Sequence, residues 1–286
     1  MPAHAFDGVA IAWRVLAPVH RLAGVSDADL LRAYDEQLRT EGEVIGALEV
    51  ARHGPLLWAV FDHGGFVTYR DLGGLEGDAL DALIDDTIAH YRDDTDLSTF
   101  EWKTRGHDLP ADLGDRLVAH GLAAEPEETV MVGEATSLAV DVPLPDGVVL
   151  RRAGEGGDLV DDVTRILAMQ EAVFGNEHGP SVESSIRSLE GGGSELWLAE
   201  ADGEVVCAGR LTVVPGTSFA GVWGGSTLPG WRGRGIYRAL VAARARGALA
   251  RGVRLINSDC TVMSRPILER SGLVAVTTTT PYVWTR

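Results

Sequence analysis

The chain has 286 residues, 42 of them acidic against 25 basic, with a formal net charge of −17 and a mean hydropathy of +0.04. So acidic a balance lacks the basic footprint that nonspecific nucleic-acid binding needs and disfavours docking on anionic lipid, so neither partner is expected. With 45% hydrophobic residues the chain can bury sizeable cores, and its length predicts two domains. Lys103 is the single lysine among the basic residues, the rest being arginine, which reads as the composition of a GC-rich genome. Cys207 and Cys260 are too few for a disulfide framework and too isolated for a zinc site, so no metal is expected. They read as small hydrophobes in a reducing cytosol.

The first residues, MPAHAFDGVAIAWRVLAP, have neither a basic n-region nor a long apolar core, and no later stretch is apolar enough to span a bilayer. A cytoplasmic protein is expected. Residues 71–86, DLGGLEGDALDALIDD, place glycines before a run with helical apolar spacing, but Asp71, Glu76 and Asp78 crowd them. Residues 133–147, GEATSLAVDVPLPDG, carry two prolines and no helical period, predicting an extended connector. The expected division is 1–134, a linker over 135–146, and 147–286.

In the second half, 147–152 reads as a strand, 157–174 as a helix, and 181–190 as a second helix with Ser181 as N-cap. Two strands follow, joined by a turn at Ala201, Asp202 and Gly203, then TSFAGVWGGSTL, whose glycine pair predicts a bulge. After GWRGRGIYRAL (230–240) comes a helix, then VRLINSD as a strand and SRPILERSG as a helix closed by Gly272. LVAVTTTTPYVWTR reads as a closing pair of strands. The class is α+β, a mixed central sheet flanked by helices. Residues 116–132 and 267–283 superpose at an offset of 151, with six identities in seventeen positions (Leu117/Leu268, Gly121/Gly272, Leu122/Leu273, Ala124/Ala275, Thr129/Thr280, Val132/Val283), suggesting an internal duplication.

A helix N-terminus presents amides with no intrahelical partner, and an oxyanion there satisfies several at once. Gly233 and Gly235 remove the Cβ atoms that would block its approach, and Arg232 and Arg234 add charge and forked donors. There is no GxxxxGK[ST] motif, and a dinucleotide fingerprint would need glycine at Arg238. The acidic loop of the first half is expected to repel a diphosphate.

In that setting the stretch resembles the GNAT superfamily of acyl-coenzyme-A-dependent N-acetyltransferases. The signature [RQ]-x-x-G-x-[GA] falls on Arg232, Gly235 and Tyr237, with R-G-R-G-I intact over Arg232 to Ile236. Tyr237 departs from the small residue and is expected to narrow the phosphate pocket. LERSGL (268–273) is similar to the later Y-E-K-x-G-F, with Leu268 and Leu273 replacing the aromatics. The resemblance implies two GNAT-like domains in tandem, the first degenerate and lacking the cofactor motif. It implies transfer of an acetyl group from acetyl-CoA, as cosubstrate, to an amine of a small molecule or peptide.

By that resemblance Ser226, Thr227 and Leu228 offer backbone groups to the pantetheine arm. Arg232, Gly233, Arg234, Gly235, Ile236 and Tyr237 hold the pyrophosphate. Thr261 stands where members often place an Asn, and Ser264 joins the cofactor set. A base or water relay is needed for the amine. Glu171 and Asp259 are preferred over Glu177 and His178. The usual acid, a Tyr, falls on Leu268, leaving Tyr282, Cys260 or solvent. Of Trp197, Trp223, Trp231 and Trp284, most read as packing residues; Phe174 and Trp223 are the pocket candidates. A noncatalytic acyl-CoA-binding module stays open as the alternative, and a homodimer is compatible with the chain.

Overall fold

Alternation of apolar and polar residues builds strands on both sides of the connector, and a computed structural model describes residues 25–39, 41–175 and 180–286. Helix α1 (Asp27–Gln37) starts at Ser26, whose hydroxyl accepts from the Asp29 amide while the Asp29 carboxylate accepts from the Ser26 N–H. A meander follows: β1 (Glu49–His53), β2 (Leu56–Phe61) and β3 (Gly64–Thr68). Then come α2 (Gly77–Asp93), β4 (Thr99–Arg105), α3 (Leu113–Ala119), the two-residue β5 (Ala123–Ala124) and β6 (Glu128–Glu134). A short helix, α4 (Ala135–Leu138), opens the connector.

The second half runs β7 (Val148–Arg152), α5 (Leu159–Phe174), α6 (Val182–Glu190), β8 (Ser194–Ala201), β9 (Glu204–Val213) and β10 (Phe219–Thr227). It ends with α7 (Ile236–Ala250), β11 (Leu255–Cys260), α8 (Arg265–Arg270) and β12 (Val274–Thr285). From β1 and from β8 the order is the same: meander, helix, strand, short helix, closing strand. The equivalence at offset 151 extends to packing. Leu117 and Leu268 are both fully buried, and Gly121 and Gly272 both take positive φ, 93° and 102°, where their helices end.

All strands join one mixed sheet, in the order β1-β2-β3-β4-β12-β6-β11-β10-β9-β8-β7, with β5 beside β12. The pairs β3–β4 and β10–β11 are parallel and bridged by α2 and α7, as a parallel step requires; the rest are antiparallel. The halves exchange their last strands. β6, from before the connector, lies against β11, and β12 lies against β4 over Thr279–Thr285. Hydrogen bonding therefore crosses the division at 134 and 147.

Side-chain parity sorts the helices. Phe100 and Trp102 of β4 face α2 and α3, while Met131 and Val222 face α7 and α8. On the opposite face, Val130, Val132 and Phe219 meet Tyr34 of α1 and its C-cap Leu38, and Leu196 and Ala208 meet Ile166 and Met169 of α5.

Two elements differ from expectation. The connector is not extended throughout: Ala135 and Leu138, three apart, are both buried in the α7 core, and that burial winds one helical turn. The expected closing pair of strands is a single strand, β12, which slips register between Ala275 and Thr277 and changes partner from β6 to β4.

Arg151 of β7 grips Asp162 of α5 with both terminal nitrogens, and Gly154 N–H adds a third donor at 2.8 Å. Asp162 is 2% exposed, and its pKa is lowered chiefly by Arg151. A depressed folded-state pKa contributes stability that is present above the unfolded value, about 3.9, and is lost as pH falls through the folded value. Asp162→Asn should therefore cost about 3–5 kcal/mol at pH 7, the cost of stripping one partner from a buried pair. The gap to wild type should begin to narrow below about pH 4 and close only as pH falls through the lowered folded-state value. Urea midpoints from pH 7 down to about pH 2 check this; a gap that does not narrow over that range would count against the assigned cause.

Candidate active site

The parallel pairing of β10 and β11 lasts three residues, Phe219↔Leu255 to Gly221↔Asn257, and the strands then part. The far half of β10 leans on β9 and gains one residue between Trp223 and Ser226, the bulge expected from the glycine pair. Gly224 takes φ 58°, and its carbonyl accepts from Gln170 Nε2 at 2.6 Å. At the root of the gap Ser258 Oγ donates to the Val222 carbonyl at 2.9 Å.

The loop leaving β10 delivers the chain to α7 across the mouth of this gap. Gly233 and Gly235 take φ 75° and 83°, and Gly235 is the N-cap of α7 with no side chain to serve the exposed amides. The backbone N–H groups of residues 233–238 find no acceptor among the described residues. A Cβ at Gly233 would meet nothing within 4 Å, so the space beside the loop at that position is open. Arg232 is exposed and turns back, its Nε donating to the Thr227 carbonyl at 3.1 Å. Arg234 stacks on Trp231 at 4.7 Å. The residues present fit a diphosphate: a row of unpaired amides at a helix start, flanked by two exposed guanidinium groups.

The first half closes the equivalent features. Its Gly73 amide donates to Asp71 Oδ1 at 2.9 Å, and Glu76 occupies the N-cap of α2. Past the last β3–β4 pair, Val67↔Trp102, the Tyr69 ring is buried 6.2 Å from the Trp102 ring.

No family model matches the sequence, and no curated protein matches it. Among solved structures, the chain is similar to a GCN5-related N-acetyltransferase from Kribbella flavida, with TM-score 0.62 and 16% identity, over 91% of this chain and 96% of that one. It is similar to a tandem GNAT protein from the clavulanic acid biosynthesis pathway, with TM-score 0.57 and 15% identity, over 91% and 95% of the two chains. The fold is a tandem GNAT fold. A GCN5-related N-acetyltransferase from Sphaerobacter thermophilus is also similar, with TM-score 0.59 and 16% identity, over 81% and 76%.

Within this tandem GNAT fold the expected cofactor residues gather at the mouth of the gap with differing freedom. The Ser226 hydroxyl is buried against Met169 Sδ at 3.7 Å, Thr227 Oγ1 lies 3.1 Å from Cys207 Sγ, and Leu228 N–H donates to the Val206 carbonyl at 3.0 Å. What remains open is the β10 backbone edge facing β11. Thr261, just past β11, is exposed, and Ser264 Oγ donates to its carbonyl at 3.3 Å.

Tyr237 does not narrow the phosphate loop. Its ring turns under the bulge, where a Cβ built on Gly225 would meet Cε2 at 2.7 Å and Oη at 3.1 Å. Burial raises the Tyr237 pKa, and its phenol faces the Arg244 guanidinium, which partly offsets that rise. Arg244 is buried with no carboxylate against it among the described residues, its Nη1 donating to the Arg210 carbonyl at 3.1 Å. Burial pushes Cys260 up to about 11, so it stays a thiol.

The three residues named for catalysis lie apart. Glu171 is exposed on α5 and lines a cavity beside Gly224. Asp259 is bound in a buried ion cluster, its Oδ2 accepting from Lys103 Nζ at 2.5 Å and its Oδ1 without a partner. Glu43 stands 3.5 Å from the same ammonium and also takes Arg105. Tyr282 pairs with Trp102 and points to the other face, over Gly114 of α3, away from the gap. The position of the usual acid is the buried core residue Leu268. Glu177 and His178 lie outside the described residues.

Of the four tryptophans, Trp197 donates to Glu195 Oε2 at 2.9 Å and Trp284 lies against Phe100, 5.6 Å between ring centroids, as packing residues. Trp223 sits 6.0 Å from the Lys103 ammonium beside the bulge, and Phe174 lines the same cavity as Glu171. Sequence reasoning passed over Arg210, Arg244 and Gln170, which carry no motif, and Lys103, whose signal was being the single lysine. No group of three or more His, Cys, Asp or Glu is placed to hold a metal among the described residues, and none of their helices is long and apolar enough to cross a membrane.

Proposed function

We propose that the chain is an acyl-CoA-dependent N-acetyltransferase whose working half is 147–286, with 1–134 as a scaffold copy joined through 135–146. The observation that carries this reading is the run of unpaired amides over residues 233–238 at the mouth of the parted strands, in a fold that solved acetyltransferases share. Bound acetyl-CoA would supply an activated thioester. The amides of 233–238, with Arg232 and Arg234, hold its diphosphate, and the open β10 edge with Thr261 and Ser264 flanks the pantetheine arm.

Glu171 takes the proton that the acceptor amine must lose as it attacks the carbonyl carbon. Tyr237, kept protonated by burial, hands a proton to the sulfur as the carbon–sulfur bond breaks, and Arg244 behind it stabilises the phenolate left. Tyr237 thus takes the part first considered for Tyr282. Asp259 positions Lys103 rather than serving as base. Leu268 in the usual acid position favours a second reading, a noncatalytic acyl-CoA-binding module.

Isothermal titration of the full chain with acetyl-CoA tests the shared premise, and one site per chain is expected. Two sites would mean that the acidic loop at 71–77 binds as well, and no binding would remove the basis for both readings. Turnover with an amine panel then separates enzyme from module.

A further inference from the structure

The cavity beside the β10 bulge, about 330 Å³, is lined by Gln170, Glu171, Phe174, Ser185, Arg210 and Gly224, among others. Its size lies at the low end for small-molecule sites, which suits a ligand of amino-acid dimensions. Arg210 enters from β9, directly across from Trp223 and one residue from the bulge. Its Nε is shut away from solvent with no hydrogen-bond partner.

Three other sequestered guanidinium groups have carboxylates: Arg151 has Asp162, Arg105 has Glu43, and Arg39 has Asp108; Arg244 instead donates to the Arg210 carbonyl and faces the Tyr237 phenol. Arg210 has none within 4.0 Å among the described residues, and burial is the one cause acting on its pKa, which it lowers. Glu171, on the facing helix, likewise has no ion-pair partner among the described residues, and the two charges do not pair with each other although they line one cavity. Arg210 is partly buried, and a cation so placed without a counter-charge carries part of the cost of a fully buried one, which a ligand carboxylate in bidentate contact relieves. An exposed carboxylate across the same space suits an ammonium.

We propose that this cavity binds a small amine carrying its own carboxylate, an amino acid, with the carboxylate on Arg210 and the amino group between Glu171 and the Gly224 bulge. The assignment names the acceptor class of the proposed acyl transfer and rests on that reading for the fate of the amine. The bound ammonium first gives one proton to Glu171, which, being exposed, passes it to solvent; the neutral amine then forms the new bond to the acetyl carbon, its second proton goes to Glu171, and the sulfur leaves with a proton from Tyr237. Arg210 is a specificity residue and touches no reacting atom.

The test is titration of the full-length, CoA-loaded protein with the twenty protein amino acids, β-alanine and γ-aminobutyrate, each against its primary carboxamide. The carboxamide keeps the amine and removes the negative charge. At least one acid should bind about 30-fold or more tightly than its amide, the scale of one charge-assisted hydrogen-bonded contact. Arg210→Gln should reduce that ratio to near one, and Arg210→Lys should restore part of it.

The same pairs are then run as acceptors with acetyl-CoA. Preferential binding of an acid without turnover would uphold the cavity's assignment and overturn acyl transfer. Turnover of amines with no preference for the acid in any pair would overturn the cavity's assignment and leave acyl transfer standing. Equal binding across every pair in the wild-type protein overturns the proposal whether or not the variants fold.

Discussion

Lys103→Met should destabilise the whole protein by about 3–5 kcal/mol, the cost of removing one partner from a buried ion pair. The ammonium is 14% exposed between Asp259, 7% exposed, and Glu43, 11% exposed. Burial opposes its charge, yet Asp259 and Glu43 outweigh that, and its pKa is raised well above the ordinary lysine value. Without it Asp259 is left with both carboxylate oxygens unpaired, since Oδ1 already has no partner. Glu43 keeps Arg105 and the Thr68 hydroxyl and suffers less.

Because Lys103 is on β4 and Asp259 on β11, the loss should appear as lower stability of both halves in one transition. The double change Lys103→Met, Asp259→Leu should recover most of it, since an apolar pair of similar volume removes the stranded charge. Denaturant midpoints of the single and double variants measure both effects. A single-variant loss under about 1 kcal/mol would show that the cluster contributes no more than a surface pair.

Gly235→Glu should weaken acetyl-CoA binding by at least about 100-fold. At φ 83° any side chain is strained, at about 1–2 kcal/mol, and the N-cap turn of α7 must shift to relieve it. The new carboxylate would also compete for the amides of 236–238 and repel the diphosphate. Loss of two charge-assisted hydrogen bonds, about 1.5–3 kcal/mol each, accounts for the expected factor at 1.4 kcal/mol per decade.

Gly74→Glu is the matched control. It has φ 78° and open space around its Cβ position, so the backbone strain is similar, but it lies in the acidic loop of the first half. It should leave acetyl-CoA affinity unchanged. Titration calorimetry on the two variants decides the site: wild-type affinity in Gly235→Glu, or loss of binding in Gly74→Glu, would assign the diphosphate elsewhere.

Much of this was legible in the sequence because it depends on neighbours a few residues apart. Ser181 caps its helix, Gly224 and Gly225 make the bulge, Gly272 closes α8, and Gly233 and Gly235 open α7, each by a backbone rule that needs no distant partner. The offset of 151 also survived into three dimensions, since paired leucines and a positive-φ glycine define the same turn twice.

Residue roles were less legible because they depend on which face of a strand a side chain takes and which strand lies beside it. Tyr282 looked available until β12 set it on the α3 face, and Tyr237 looked like an obstruction until α7 aimed it under the bulge. By itself, then, the sequence determined most of the elements, their caps and the glycine–arginine loop before α7, whose geometry local steric and hydrogen-bonding rules impose. Only the tertiary structure decided the exchange of β6 and β12, the pairing of Lys103 with Asp259 across 156 positions, and the meeting of Arg210 with Glu171 in one cavity. Those contacts arise from closing one sheet across both halves, and long-range pairing of that kind leaves no periodic trace along the chain.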